Sequence, residues 1–506
     1  MGKYTGPCKA ADVAKGLCFG GIARRMAKIK EIRNKFPNHL LLDAGDQYQG
    51  SLWFIEYKGL AASYFMNLLG YDAMTLGNHE FDKGVDTLVP FFDNITFPVV
   101  TSNIDVTNEP RLQDRFNKSV VVEVGGERIG IVGYTTKTTP SISSPGPGVR
   151  FQDEIQSVRT EVQKLQAEGI SIIIVLGHGG YKLDKKMAHD VEGIDVIVGG
   201  HSHTFLYTGD PPSIEKPDGE YPTIIEQANN TTVPDPDIIE ELKDWKRPLQ
   251  SLKQKVVGKT AVHLEGTNKE CRLQECNLGN LVADSIVSYF AERNSAEDVW
   301  TEASVSLVNS GGIRAPIEKG NVTMEDVLTV MPFGNYIDVI TIRGNVLMEV
   351  LSHSIESRDT LQPDGAFLQF SGIRVRYDTA RQSGERVVDV SVRCQNCLVP
   401  RYEPIDRKAL YKIAVSDFVI SGGDGYDMLK NNENRSRFSG SPPHKPLSPL
   451  AEAVQSVLGE DSEVISDLEG GIDSSLISLL QPQDDVWRRF SCLSALATGR
   501  PPYEDT

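Results

Sequence analysis

Five short polar clusters close five apolar runs in the first half of this 506-residue chain: LLLDAGD (40–46), AMTLGNHEFD (73–82), VVTSNID (99–105), IIIVLGHGG (172–180) and VIVGGHSHT (196–204). Carboxylate, amide and imidazole groups in one set suit borderline first-row dications such as Zn²⁺ or Mn²⁺. Two such ions, roughly 3.5–4 Å apart, can share a bridging carboxylate and polarise a water for in-line attack on phosphorus. Asp46 suits the bridging role, Asn78 offers an amide oxygen, and His178 and His201 offer imidazole nitrogen. His203, two residues after His201, points the same way if the segment is extended and would reach the second ion. His79 adjoins Asn78 and is therefore differently directed, available to stabilise or protonate a leaving group, with Asp82 three residues on to orient its ring. A single Asp or His after a strand is ordinarily a cap or a surface group. Five clusters at five strand ends instead imply a metal-dependent hydrolase. Asn103 and Asp105 read as loop or cap residues.

The elements that must position these groups follow from the apolar runs. An uninterrupted Val/Ile/Leu run suits a strand buried on both faces, and polar residues just beyond it emerge at the carboxyl edge of the sheet, where open α/β folds place ligands. Residues 21–35 carry Ile22, Met26, Ile29 and Ile32 at helical spacing, and 158–168 reads similarly, so βα units are expected up to about residue 205. A polar, Pro-rich stretch follows at 209–236. Residues 235–259 begin like a capped helix, interrupted at Pro248, and form the expected interdomain connector. Beyond it, 277–292 reads as helix and 367–378 as strand. From about 431 the composition turns to Ser, Pro, Asp and Gly with weak periodicity. The expected domains are thus 1–234, a linker helix at 235–255, a second domain at 256–430, and a partly disordered tail at 431–506.

Composition excludes several classes. Hydrophobic content of 40% and charged content of 24% are those of a globular protein, and no apolar run approaches the 18 or so residues of a membrane span. A net charge of −17 argues against nucleic-acid binding, which needs clustered Lys and Arg. Six of seven cysteines lie in near pairs, Cys8 with Cys18, Cys271 with Cys276 and Cys394 with Cys397, leaving Cys492. Local disulfides and an oxidising compartment are the expectation, zinc binding the alternative. Asn-x-Ser/Thr triplets at Asn94, Asn117, Asn229, Asn230, Asn321 and Asn434 agree with a secreted glycoprotein. Neither a signal peptide nor a lipid-anchor signal is read at the ends given.

The segments DAGDQYQG, GNHEFD, GGHSHTFLYTG, NSGGIRAPI (309–317), MPFGN (331–335) and SGGDGYDM (421–428) resemble the 5′-nucleotidase family of dinuclear metallophosphatases, the animal ecto-enzymes and secreted apyrases in particular. The resemblance runs from about residue 8 to 430. It implies a mixed α/β fold: an N-terminal calcineurin-like domain with parallel and mixed sheets flanked by helices, a linker helix, and a C-terminal nucleotide-binding domain that rotates to deliver phosphate to two divalent ions. Zn²⁺ is the implied metal, with Mn²⁺, Co²⁺ or Mg²⁺ as substitutes. Asp46, Asn78, His178 and His201 become metal ligands, and His79 with Asp82 the catalytic dyad. Arg272, Arg314 and Asn309 then recognise phosphate or ribose, Phe333 and Phe418 sandwich the base, and Asp424 contacts ribose hydroxyls. Taken singly, those arginines read as surface charges and those phenylalanines as core. A homodimer through the C-terminal domain is a further implication.

Three departures from the family pattern bear on function. An Asp-x-His metal motif that precedes the region of Cys8 in the family is not found here, which would cost one ion two ligands. After YPTIIEQA (221–228) a further strand pair is missing before the connector, and residues beyond 430 do not resemble the family's final segment. The expected activity is hydrolysis of extracellular nucleoside 5′-monophosphates, AMP to adenosine and phosphate. The alternatives are an apyrase acting on ATP and ADP, and a nucleotide-binding form with impaired catalysis.

Overall fold

The computed structural model of the protein describes residues 20–204, 217–218, 232–250, 255–294, 299–356, 360, 363–397, 399–430 and 435–437. The chain divides into two compact units, Met1–Leu249 and Gln250–Thr506. Cys8, Cys18, Cys492, Asn229, Asn230, Asn434 and the segment 221–228 lie outside the described residues.

In the first unit the apolar runs become short strands. β1 (Leu42–Asp43) pairs in parallel with β2 (Ala73–Met74), and β3 (Ile104–Asp105) pairs antiparallel with β6 (Arg150–Phe151). A four-stranded mixed sheet runs β4 (Ser119–Val124), β5 (Glu127–Thr135), β7 (Ile172–His178), β8 (Val196–Gly199). Its β5, β7 and β8 are parallel, with Tyr134 opposite Gly177 and Gly177 opposite Gly199. The run at 99–101 forms only isolated bridges, Val99 to Met74 and Val100 to Asn117. β8 departs from the buried-strand expectation: Val196 is 51% exposed, because among the described residues β8 is the edge of its sheet.

The helix Glu154–Ala167 starts at Asp153, whose carboxylate accepts from the Gln156 N–H, and buries Val158, Val162 and Leu165 at i, i+4 and i+7. These pack with Val132, Tyr134 and Val175 into a core under the sheet. A second core gathers Met74, Leu76, Phe81, Leu88 and Phe91 behind the Asn78 loop. The connector helix, Pro236–Lys246, is capped by Asp235, which Lys30 also holds at 2.7 Å. It is tied to the first unit: Ile238 joins Met26, Ile29 and Leu69, and Tyr57 donates to the Trp245 carbonyl at 2.6 Å.

The second unit is built on a mixed five-stranded sheet in the order β13 (Leu368–Ser371), β10 (Val305–Asn309), β17 (Leu410–Ser416), β12 (Ile337–Arg343), β18 (Arg435–Arg437). The largely buried helix Asn277–Glu292 packs on β10 and β13. β9 (Val256–Thr260) pairs with β11 (Gly320–Thr323), and β14 (Ile373–Tyr377), β15 (Val387–Arg393) and β16 (Tyr402–Pro404) form a meander. Disulfides join Cys271 to Cys276 and Cys394 to Cys397. β18 carries the ordered sheet beyond 430, into the expected tail; its antiparallel pairing with β12 supplies partners that local sequence periodicity does not reveal. Among the described residues no helix is long and apolar enough to cross a membrane.

Candidate active site

Asp46 leaves β1 through a turn that demands left-handed backbone, with φ of 89° at Gly45 and 61° at Asp46 itself. A side chain at Gly45 would meet the Gly77 nitrogen at 2.5 Å, and one at Gly77 would overlap Asp46 Oδ1 and lie 2.8 Å from His178 Cε1. The two glycines thus let three segments converge. Asp46 Oδ1 accepts from the His79 N–H at 2.9 Å.

His178 ends β7 and is 1% exposed. Its Nδ1 lies 2.6 Å from the Ala44 carbonyl, so Nδ1–H donates there and Nε2 is the nitrogen left to bind. Nε2 sits 3.0 Å from Asp46 Oδ2 but is not aligned with it as a hydrogen bond and has no partner. Burial opposes charge on both groups and their mutual attraction outweighs it, raising His178 to about 9 and drawing Asp46 well below the usual carboxylate range. His201 follows β8, with its ring centroid 5.1 Å from that of His178; burial, then the His178 charge, lower it to about 4.

Donor atoms of Asp46, His178 and His201 lie within 4.8 Å of one another. Asn78 is 3% exposed and its Oδ1 is buried without a hydrogen-bond partner. Orphaned oxygen and nitrogen donors beside a carboxylate fit a borderline dication. His203 is exposed and stands outside that three-residue group. The extended segment assumed for it is absent, since His201 and His203 both adopt left-handed backbone, with φ of 75° and 54°.

The next turn brings His79 against Asp82. His79 Nδ1 is 2.6 Å from Asp82 Oδ2, and Ser143 donates to the other Asp82 oxygen at 2.7 Å. His79 Nε2 is thereby turned toward Asp46, 3.9 Å from its Oδ2. Asn103 serves as a buried staple: its amide bonds the N–H and carbonyl of Thr135. Asp105 caps a turn at Thr107.

In the second unit Arg272 donates to the Pro363 carbonyl at 3.1 Å, while its buried Nε has no partner. Burial, then repulsion from Arg314, lowers Arg272 to about 10, so it stays charged at neutral pH. The Arg314 guanidinium stands 5.7 Å from the Phe333 ring centroid. Asn309 donates to Asp424 Oδ2 at 2.7 Å, and burial raises Asp424 to about 6. Phe418 lies so close to Gly423 that a side chain there would sit 2.5 Å from its ring. Phe333 lines a cavity of about 30 Å³ with Asn309, Met331, Asn335 and Ser416.

Residues 10–205 match the calcineurin-like phosphoesterase family, and residues 256–431 match the 5′-nucleotidase C-terminal domain. The 5′-nucleotidase of Diplobatis ommata is 42% identical over 462 residues, covering 82% of this chain and 80% of that protein. That of Homo sapiens is 40% identical over 460 residues with the same coverage. This chain belongs to the 5′-nucleotidase family. The crystal structure of the 5′-nucleotidase precursor of Thermus thermophilus superposes with a TM-score of 0.77 at 35% identity, over 87% of this chain and 90% of that one. As a 5′-nucleotidase family member, the chain is a hydrolase whose metallophosphatase domain implies divalent metals.

Two residues of this 5′-nucleotidase family member, one in each unit, escape sequence reasoning. Glu80 is fully buried, and its carboxylate accepts four backbone N–H groups: Gly77 at 2.6 Å and Asp46 at 2.9 Å on one oxygen, Gln47 at 2.7 Å and Tyr48 at 3.2 Å on the other. Burial and the Asp46 charge raise it to about 7, against the pull of those donors. It welds the Asp46 loop to the Asn78 loop. His353 Nε2 lies 2.8 Å from the Asp424 carbonyl, supporting a residue whose φ is 52°. The one signal for Glu80 was a carboxylate amid the polar GNHEFD cluster; His353 had none.

Proposed function

We propose that this chain hydrolyses nucleoside 5′-monophosphates, AMP to adenosine and phosphate, with His79 as general acid and Asp82 as the group that orients it. The observation that carries this reading is the chain Ser143–Asp82–His79, in which Nδ1 is engaged at 2.6 Å and Nε2 faces the Asp46 cluster. Asp46, Asn78, His178 and His201 would hold divalent metal, Zn²⁺ by preference, since His nitrogen with carboxylate and amide oxygen is a borderline donor set. The metal would supply Lewis acidity to the phosphate and lower the pKa of the attacking water. As water attacks phosphorus and the bond to the 5′ oxygen breaks, the His79 Nε2 proton passes to that oxygen. Asp82 keeps the ring in the tautomer that can give it.

In the second unit Arg272 and Arg314 offer guanidinium forks to phosphate. Asp424, held by Asn309, is suited to ribose hydroxyls, and Phe333 and Phe418 to the faces of the base. Two disulfides, and exposed asparagines in the triplets at Asn94, Asn117 and Asn321, support an extracellular setting. The test is phosphate release from AMP, ADP and ATP by the purified chain with added Zn²⁺ and a chelator control. Chelator-sensitive release from AMP alone is expected. Release from ATP and ADP would replace the reading with an apyrase, and nucleotide binding without any release would replace it with a binding form.

A further inference from the structure

Gly177, Gly179 and Gly199 flank the two histidines, and neighbouring side chains occupy the space their own would take. Tyr134, Gly177 and Gly199 occupy one row across the parallel strands β5, β7 and β8. Residues opposite one another in a ladder project to the same face, and here the middle and far members project nothing. The Tyr134 ring fills the first gap: a side chain at Gly177 would lie 2.6 Å from its hydroxyl, and one at Gly179 would lie 2.9 Å from its ring. The hydroxyl donates to Asp184 Oδ1, on the helix Tyr181–Asp190. Asp184 fills the second gap, since a side chain at Gly199 would overlap its Oδ2. Phenol and carboxylate thus form a strap laid across β7 and β8 at the row that closes β8 and precedes the last residue of β7. Tyr134 is fully buried.

His178 is the residue after Gly177, and His201 is two after Gly199. Gly200 N–H bonds the Gly177 carbonyl at 2.8 Å, so the two strand ends leave the sheet joined. We propose that Tyr134 and Asp184 act as one positioning unit that fixes His178 against His201 and so sets the affinity of the metal site. The proposal rests on the reading of those histidines as ligands. Supporting groups of this kind typically alter metal affinity about 10–100-fold when removed, and the lower end applies because this strap acts through backbone.

The test uses the full chain, stripped of metal by dialysis and titrated with Co²⁺ by calorimetry and visible absorption. Y134F removes one oxygen and keeps the ring; D184A removes the acceptor; D184N retains a hydrogen-bonding group. Y134F and D184A are each expected to raise the Co²⁺ dissociation constant about tenfold, with the double variant no worse than either, because the two act as one unit. D184N should stay near wild type, and H201A should lose the response. Wild-type Co²⁺ binding in Y134F, with binding lost in H201A, overturns the strap while sparing the ligand assignment. Wild-type binding in H201A overturns both. Thermal melts of the metal-free variants establish that each is folded; if D184A is not, Y134F against wild type decides.

Discussion

Replacing Glu80 by Gln changes one atom type at the point where the Asp46 and Asn78 loops meet. The carboxylate accepts four backbone N–H groups, two on each oxygen. Gln keeps the shape and one acceptor, but its NH₂ must face either the Gly77 and Asp46 donors or the Gln47 and Tyr48 donors. Two N–H groups, one buried and one half-buried, are left unpaired whichever way the amide lies. At about 1–3 kcal/mol for each unsatisfied group, the substitution should cost about 2–6 kcal/mol. Asp46 suffers further, since a left-handed non-glycine residue costs on the order of 1 kcal/mol or more and persists only where its surroundings enforce it. Released, it can relax away from His178 and Asn78. E80Q is therefore expected to lower the denaturation midpoint of the first unit, weaken Co²⁺ binding, and reduce turnover with AMP. Denaturant unfolding followed by intrinsic fluorescence, with metal titration on the same samples, measures both effects. A stability change within about 0.5 kcal/mol, the range of an ordinary surface substitution, together with unchanged metal affinity, would refute the argument.

Three further outcomes are expected. H79A should lower turnover by about 10² or more while nucleotide affinity is nearly kept, because the group acts on the leaving oxygen; steady-state kinetics beside equilibrium nucleotide binding separates the two. F418A should chiefly raise KM, by loss of stacking on the base, and an unchanged KM would remove Phe418 from the site. Asp424, raised by burial from 3.8 to about 6, holds a proton in the folded chain that the unfolded chain has released over that interval. Its contribution favours the fold at low pH and is lost as pH rises through about 6, on the order of 3 kcal/mol, so D424N should flatten the stability profile of the second unit between pH 4 and about 6.

What could be read without coordinates was what short range governs. The Asn78-His79-Glu80-Phe81-Asp82 run fits within one turn, so a His79–Asp82 contact follows from spacing alone. Apolar runs ending in polar groups announce strand ends because burial and the location of the carboxyl edge are local consequences of the chain. The helices Ile22–Lys35 and Asn277–Glu292 likewise lay close to the periodicity that predicted them. The extended segment expected at His201 to His203 is absent, and left-handed backbone, unlike strand alternation, leaves no pattern in a single sequence. The exposure of Val196 was hidden for a related reason, since an apolar run does not state whether it lies at the centre of a sheet or at its edge.

The sequence by itself therefore determined the chemistry at hand: which carboxylate, amide and imidazole groups sit at strand ends, and which family they match. Only the tertiary structure decided how they are held. Glu80 meets donors more than thirty residues earlier in the chain, and Tyr134 reaches Asp184 across a glycine gap fifty residues away. Such contacts depend on register between strands and on where side chains are missing, and those are properties of packing rather than of any local stretch of residues.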